Sequence, residues 1–96
     1  MFACLTTFRL APGQRAIQEE RARRFVATYR AMPGFRSVTY LIDESTHEYG
    51  AYSVWVSRTE AEAAGAAARA RMAENPAEHI RATPTTRIFE IYEPPT

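Results

Sequence analysis

The apolar positions in the stretch YRAMPGFRSVTYLID, residues 29–43, change their spacing halfway along. Up to Met32 they recur every three or four residues, which is the period of a helix packed on one side. Pro33 then disfavours the helical conformation at Met32, and Gly34 permits a sharp turn. From Phe35 onward apolar and polar residues alternate, as they do in a strand. The stretch therefore predicts a helix, a tight turn and a strand in direct succession.

The same two periods assign the rest of the chain. Strand-like segments are predicted at residues 2–10, 35–43, 49–57 and 85–93, and helical ones at residues 14–32 and from residue 57 or 59 to about 74. Strand, helix, strand, strand, helix, strand is the ferredoxin-like order, βαββαβ. We therefore expect an α+β fold with a four-stranded antiparallel sheet and two helices on one face, in a single domain over residues 1–96.

The start of the second helix carries two overlapping capping boxes, Ser57 with Glu60 and Thr59 with Glu62. Either one satisfies the free N–H groups of a first helical turn, so the sequence leaves both boundaries open. A further cap signal, NPAE, predicts a short helical turn over residues 75–80.

Apolar residues alternate in the central strands in a way that places some of them on both faces of the sheet. The second strand divides Phe35 and Leu41 from Val38, Tyr40 and Ile42, and the third divides Tyr49 and Trp55 from Tyr52, Val54 and Val56. Two helices cover only one face. We therefore predict a homodimer in which the other faces pack sheet to sheet. A chain of 96 residues also gains much from a partner, because small domains bury a small share of their surface.

Charge and composition exclude several classes of partner. Twelve basic residues, all arginine, against eleven acidic ones give a net charge of +1, which supplies no field to attract nucleic acid or anionic lipid. Cys4 is the only cysteine and has no partner for a disulfide or a zinc site. The sequence shows neither a signal peptide nor a membrane-spanning run. We expect a cytoplasmic protein that binds neither nucleic acid nor membrane.

The order of elements, the MPGF at the end of the first helix and the VWVS before a capped helix resemble the antibiotic biosynthesis monooxygenase family of the dimeric α+β barrel superfamily. The resemblance implies a small-molecule pocket between sheet and helices. Members of that family oxidise aromatic polyketides without metal or flavin, degrade haem, or have no established activity. The haem-degrading branch has an asparagine where this chain has Thr6 and a second tryptophan where it has alanines around Ala63 and Ala64, so haem degradation is not expected.

Two functions stay open at this level. The first is a cofactor-independent monooxygenase acting on a small aromatic or quinol, and the second is a noncatalytic dimer that binds a small molecule. For catalysis we select Tyr52 as hydrogen-bond donor, His79 as proton acceptor and Trp55 as stacking surface. Burial in the sheet or dimer core is nevertheless the more common role for a tryptophan such as Trp55, and a surface or helix-end position is the more common one for a histidine such as His79. Neither a metal cluster nor a phosphate loop is present in the sequence, so no metal or other cofactor is expected.

Candidate residues for substrate binding are Thr6, Tyr29, Ala64 and Ala68. The second helix has small residues along one stripe, namely Ala61, Ala64, Gly65 and Ala68. The stripe indicates either close packing of the helix on the sheet or an open pocket wall. The first helix has bulkier residues on its buried face, so any cavity is expected nearer the second helix.

Overall fold

The computed structural model of the chain describes residues 1–73 and 84–95. Its elements are β1 (Phe2–Arg9), α1 (Arg15–Ala31), β2 (Phe35–Asp43), β3 (Glu48–Trp55), α2 (Arg58–Ala73) and β4 (Thr85–Glu90). The strands form one antiparallel sheet in the order β2-β3-β1-β4, and residues of both helices share one core with the sheet. The predicted ferredoxin-like βαββαβ fold is confirmed.

The turn after α1 forms where the change of period predicts it. Met32 has an extended backbone, with ψ of 143°, and its N–H donates to the carbonyl of Tyr29. Gly34 follows in the left-handed region at φ 76°, where a glycine has no steric penalty. Its carbonyl accepts a 3.0 Å hydrogen bond from the N–H of Val56. The turn is thereby joined to the end of β3.

Of the two possible caps for α2, the structure forms the one at Ser57. The Ser57 hydroxyl accepts a hydrogen bond from the backbone N–H of Glu60 at 3.2 Å and donates one to Glu60 Oε1 at 2.9 Å. The Glu60 carboxyl also lies against Gly34, in the space that a β-carbon there would occupy. The cap of α2 and the turn after α1 therefore form one packed unit.

Trp55 lies at the centre of the core and is fully buried. Its ring is 5.9 Å from that of Tyr29 and 5.6 Å from that of Phe35. The indole N–H donates a 2.8 Å hydrogen bond to the hydroxyl of Ser53, so the one polar atom of this side chain has a partner. These contacts give Trp55 the structural role that the sequence left open.

Phe35 lies on the opposite face of the sheet from the one that simple alternation predicts. β2 pairs Phe35 with Trp55 but Ser37 with Val54, so the register shifts between Phe35 and Ser37. Such a bulge inserts one extra residue and reverses the alternation before it. Phe35 therefore joins Val38 in the core beneath the helices.

The other face of the sheet, which we call the outer face, carries large apolar side chains that remain exposed in the single chain. Leu41, Tyr52 and Phe89 are 42%, 38% and 37% exposed, and their cross-strand pairing places all three on this face. Arg87 packs its guanidinium over the Phe89 ring at 4.7 Å. The outer face is thus mixed in character, with an apolar centre.

β4 ends at Glu90, three residues before its predicted end. Glu90 pairs with Phe2, the first residue of β1, and a last backbone bond joins Ile91 N–H to the Met1 carbonyl. The helical turn predicted over residues 75–80 lies outside the described residues. Within the described part of the chain, neither helix is long and apolar enough to cross a membrane.

Candidate functional site

A cavity opens between α1, the C-terminal half of α2 and the helix-facing side of the sheet. Its enclosed volume is about 60 Å³. Sites for small molecules commonly measure roughly 300 to 1,000 Å³, so a ligand here would also occupy the open mouth of the cavity. The lining residues are Thr6, Phe8, Leu10, Gln18, Arg21, Ala22, Phe25, Tyr29, Tyr40, Gly50, Ala51, Ala68, Arg71 and Met72. The walls are thus largely apolar, with a few polar groups among them.

α1 contributes one complete helical stripe to this cavity. Gln18, Ala22, Phe25 and Tyr29 follow at intervals of three and four residues, and Arg21 lies beside them. The small side chain of Ala22 leaves room in the middle of the stripe. Gln18 and Arg21 are polar although they share a face with Phe25 and Tyr29.

Two tyrosines supply hydroxyl groups to the cavity. Tyr29 is only 2% exposed, and burial, reinforced by the nearby Tyr40, raises its pKa far above that of a free tyrosine. Burial also raises the pKa of Tyr40, while the charge of Arg71 partly opposes this shift. Both phenols are therefore protonated at neutral pH. The Tyr40 hydroxyl is buried and has no hydrogen-bond partner among the described residues, so it is available as a donor to a ligand.

Positive charge lies close to these hydroxyls. The guanidinium of Arg71 lies 5.2 Å from the centre of the Phe25 ring, and Arg21 lines the same cavity from α1. The described lining residues include no aspartate, glutamate or histidine. Because apolar walls screen charge less than water does, these charges act more strongly on groups inside the cavity than they would in solvent.

Three of the residues predicted to bind substrate do line the cavity, namely Thr6, Tyr29 and Ala68. Thr6 is buried, and its hydroxyl lies 3.4 Å from that of Thr86 and 3.9 Å from the sulfur of Cys4. Burial raises the pKa of the Cys4 thiol, and the Thr6 hydrogen bond partly opposes this shift. The role of these residues in binding stays a prediction.

The other selected residues do not line the cavity. Tyr52 is opposite Leu5 on the outer face, because it is three residues from Trp55 and strand residues alternate between faces. Trp55 is enclosed in the core, and Ala64 is fully buried within the same cluster. His79 lies outside the described residues.

The small residues of α2 serve mainly to bring the helix close to the sheet. A β-carbon on Gly65 would lie 2.8 Å from Thr86 Cγ2 and 3.3 Å from Cys4 Sγ, which leaves no free space there. Of the stripe, only Ala68 borders the cavity. The expectation of a cavity nearer α2 is therefore wrong, because α1 supplies five lining residues and α2 supplies three, all near its C-terminal end.

Sequence reasoning did not select Gln18, Arg21 or Arg71 as site residues. A signal for them exists in the helical periods. Arg21 lies four residues before Phe25 and eight before Tyr29, and Arg71 lies three residues after Ala68. A polar residue at the spacing of a buried stripe is unusual, because burying an unpaired polar group is costly. At these positions it marks the wall of the cavity.

The model of the family described as antibiotic biosynthesis monooxygenase matches residues 1–73. The chain belongs to the antibiotic biosynthesis monooxygenase family. The matched residues run from β1 to the end of α2 and include all of the described residues that line the cavity. A search of curated proteins finds no match.

Several solved structures share the fold. A monooxygenase from the gene ActVA-Orf6 of Streptomyces coelicolor, in complex with Nanaomycin D, is 21% identical, with a TM-score of 0.72 over 99% of this chain and 90% of that one. An MhuD variant with two manganese protoporphyrin IX groups per active site is 20% identical, with a TM-score of 0.72 over 100% and 99%. Rv0793 from Mycobacterium tuberculosis is 14% identical, with a TM-score of 0.75 over 99% and 98%. At these identities the likeness establishes the fold of this family member.

Proposed function

We propose that this family member is a cofactor-independent monooxygenase-like enzyme that oxidises a small, electron-rich aromatic or quinol in the cavity between the helices and the sheet. The observation that carries the proposal is the Tyr40 hydroxyl, a buried donor without a partner among the described residues, in a largely apolar cavity. Buried donors of this kind stabilise negative charge that develops on a substrate oxygen.

The residues of the cavity would favour the ionised form of a phenolic substrate. Hydrogen bonds donated by the Tyr29 and Tyr40 hydroxyls lower the energy of the anion after its hydroxyl proton passes to water. The electron-rich ring then reacts with molecular oxygen. When an anthrone-type CH₂ becomes a carbonyl, one oxygen atom enters the product, the other leaves as water, and the substrate supplies all four electrons. Tyr29 and Tyr40 hold the substrate oxygen, and Phe8 and Phe25 exclude water.

Two relatives with the same fold support a small-molecule site. The Streptomyces coelicolor protein is a monooxygenase with bound Nanaomycin D, and MhuD binds manganese protoporphyrin IX in its active site. Because Thr6, Ala63 and Ala64 stand where the haem-degrading branch has its asparagine and second tryptophan, we assign this chain to aromatic oxidation.

Replacing Tyr40 by phenylalanine should separate activity from stability. Loss of the donor should lower oxygen consumption with a panel of hydroquinones and anthrones by about 10- to 100-fold. The free energy of unfolding should stay the same or rise by ~1 kcal/mol, because a buried hydroxyl without a partner is removed. An oxygen electrode and urea denaturation measure the two effects.

The control for this change is Tyr92→Phe, because Tyr92 is 77% exposed and does not line the cavity. It should alter neither quantity. Full turnover by the Tyr40 variant would contradict the assigned role.

A second candidate function is that of a noncatalytic small-molecule-binding protein. It is favoured by the lack of a histidine or carboxylate among the described lining residues, since no side chain there can accept a proton. Tight binding of the panel by the wild type without oxygen consumption would establish a noncatalytic binding protein.

The outer face supports assembly into a homodimer, as the family resemblance implies. Leu41, Tyr52 and Phe89 are exposed there in the single chain. Val54 lies on the same face two residues after Tyr52, and it pairs with Ala3, which also pairs with Phe89. Packing this face against its copy would bury the apolar centre of both sheets. The two cavities lie on the helix sides of the sheets, so both remain open in such a dimer.

A charge at the centre of the outer face should disrupt this dimer. Tyr52→Arg should convert the protein to a monomer in sedimentation at micromolar concentration, because two arginines would be buried at the interface. Ile17→Arg is the matched control, since Ile17 is 43% exposed on α1, away from the outer face. A wild-type protein that sediments as a monomer of 10.9 kDa would contradict the assembly.

A further inference from the structure

We propose that the molecule bound in the cavity is an aromatic carboxylate, with its ring between the apolar walls and its carboxylate bound by Arg21 and Arg71. The inference rests on the proposed function, which identifies the cavity as the substrate site. It adds the charge of the substrate, which the proposed oxidation alone does not specify.

Arg21 differs from the arginines next to it on α1. Arg23 and Arg24 point to solvent, with side chains 74% and 70% exposed, and each lies within 3.5 Å of a carboxylate oxygen of Glu20. Arg21 is half-buried on the cavity stripe and forms no ion pair with any residue in the described ranges. A charged group that lines an apolar cavity in this way can pair with a ligand of opposite charge.

Arg71 approaches the cavity from the other helix. Its guanidinium packs on the Phe25 ring at 5.2 Å, which orients a planar group whose N–H donors match the two oxygens of a carboxylate. Its charge also acts on Tyr40, whose pKa it lowers against the effect of burial. The Tyr40 hydroxyl and the Arg71 guanidinium are therefore close enough to serve one ligand.

The shape of the cavity determines which part of the ligand lies where. Thr6 and Tyr29 are 3% and 2% exposed and form the closed end, whereas Arg21 is half-buried and borders the open side. A flat ring enters among Phe8, Phe25 and the small side chains, and the carboxylate stays at the arginines. The buried tyrosine hydroxyls then face the ring substituent that is oxidised.

Binding of redox-inert probes tests the charge preference without any turnover. We would titrate the protein by calorimetry with 2-naphthoate and with 2-naphthamide, which have the same ring and differ in charge. The wild type should bind 2-naphthoate at least about tenfold more tightly, as expected for charge-assisted hydrogen bonds. The preference should decrease as salt concentration rises.

The variants Arg21→Gln and Arg71→Gln should each lose most of this preference while they retain their affinity for 2-naphthamide. Arg23→Gln is the matched control on α1 and should bind both probes as the wild type does. Thermal melts establish that every variant is folded. Equal affinity of the wild type for the two probes, binding of neither, or a preference that survives in both cavity variants would overturn the inference. If one of these results is obtained and the protein still consumes oxygen with neutral anthrones, the inference about the carboxylate is wrong and the proposed oxidation is unaffected.

Discussion

Replacing Ala64 by phenylalanine should destabilise the protein by about 3 kcal/mol or more, at the upper end of the range for overpacked cores. Ala64 is 0% exposed and belongs to the cluster of Cys4, Tyr29 and Trp55. A phenyl ring at this position has to displace α2 from the sheet, because the helix is already close to β1 and β4 at the next residue, Gly65. Urea denaturation should show the loss as a lower midpoint.

Ala68→Phe is the matched change one turn further along the same stripe. Ala68 borders the cavity, so its new ring can occupy empty space and should cost less than ~1 kcal/mol, as volume-compatible changes do. The same ring should block the cavity and abolish binding of 2-naphthoate. Similar losses of stability in both variants would mean that the cavity is too small to accept a ring, and the proposed binding site would then be wrong.

Gly34→Ala should destabilise the fold by about 2 to 3 kcal/mol. Gly34 has φ 76°, which costs an L-residue about 1 to 2 kcal/mol. The new β-carbon would also overlap the Glu60 carboxyl. Because that carboxyl ends a flexible side chain, it can move, but it then loses its hydrogen bond with the Ser57 hydroxyl, which contributes ~1 kcal/mol. Thermal and urea denaturation measure the sum.

Gly13→Ala separates the two contributions. Gly13 has φ 82°, and apart from its chain neighbours no atom of the described residues lies within 4 Å of its added β-carbon, so this variant should show the backbone cost alone. In a Glu60→Ala background, Gly34→Ala should approach the same smaller value. A cost at Gly34 that stays unchanged in that background would show that the carboxyl contributes nothing to the requirement for glycine.

The element order was predictable because each boundary has a local chemical cause. The turn at Gly34 and the cap at Ser57 depend on residues within a few positions of each other, and a single sequence displays such relations directly. The bulge next to Phe35 has no comparable local signal. Since it reverses the alternation, the face on which Phe35 lies could not be derived from periodicity alone.

The candidate site was less predictable, because it depends on which small residues leave space and which fill it. Ala64 and Ala68 are identical in sequence terms, yet one is buried in the core cluster that contains Trp55 and the other borders the cavity. Tyr52 was assigned to the cavity without knowledge of strand register, which places it on the outer face. Arg21 and Arg71 line the cavity, but a search for apolar residues at helical spacing does not select arginines.

The central position of β1 bears on how quickly the chain can fold. The hairpin pair Asp43 and Glu48 is five residues apart, whereas Thr6 and Thr86 in β1 and β4 are 80 apart. That sixteenfold difference is four doublings, or about 2.4 kcal/mol of additional loop-closure entropy. Such non-local pairing slows folding far more than it reduces stability. The topology that encloses the cavity therefore has its main cost in the folding rate.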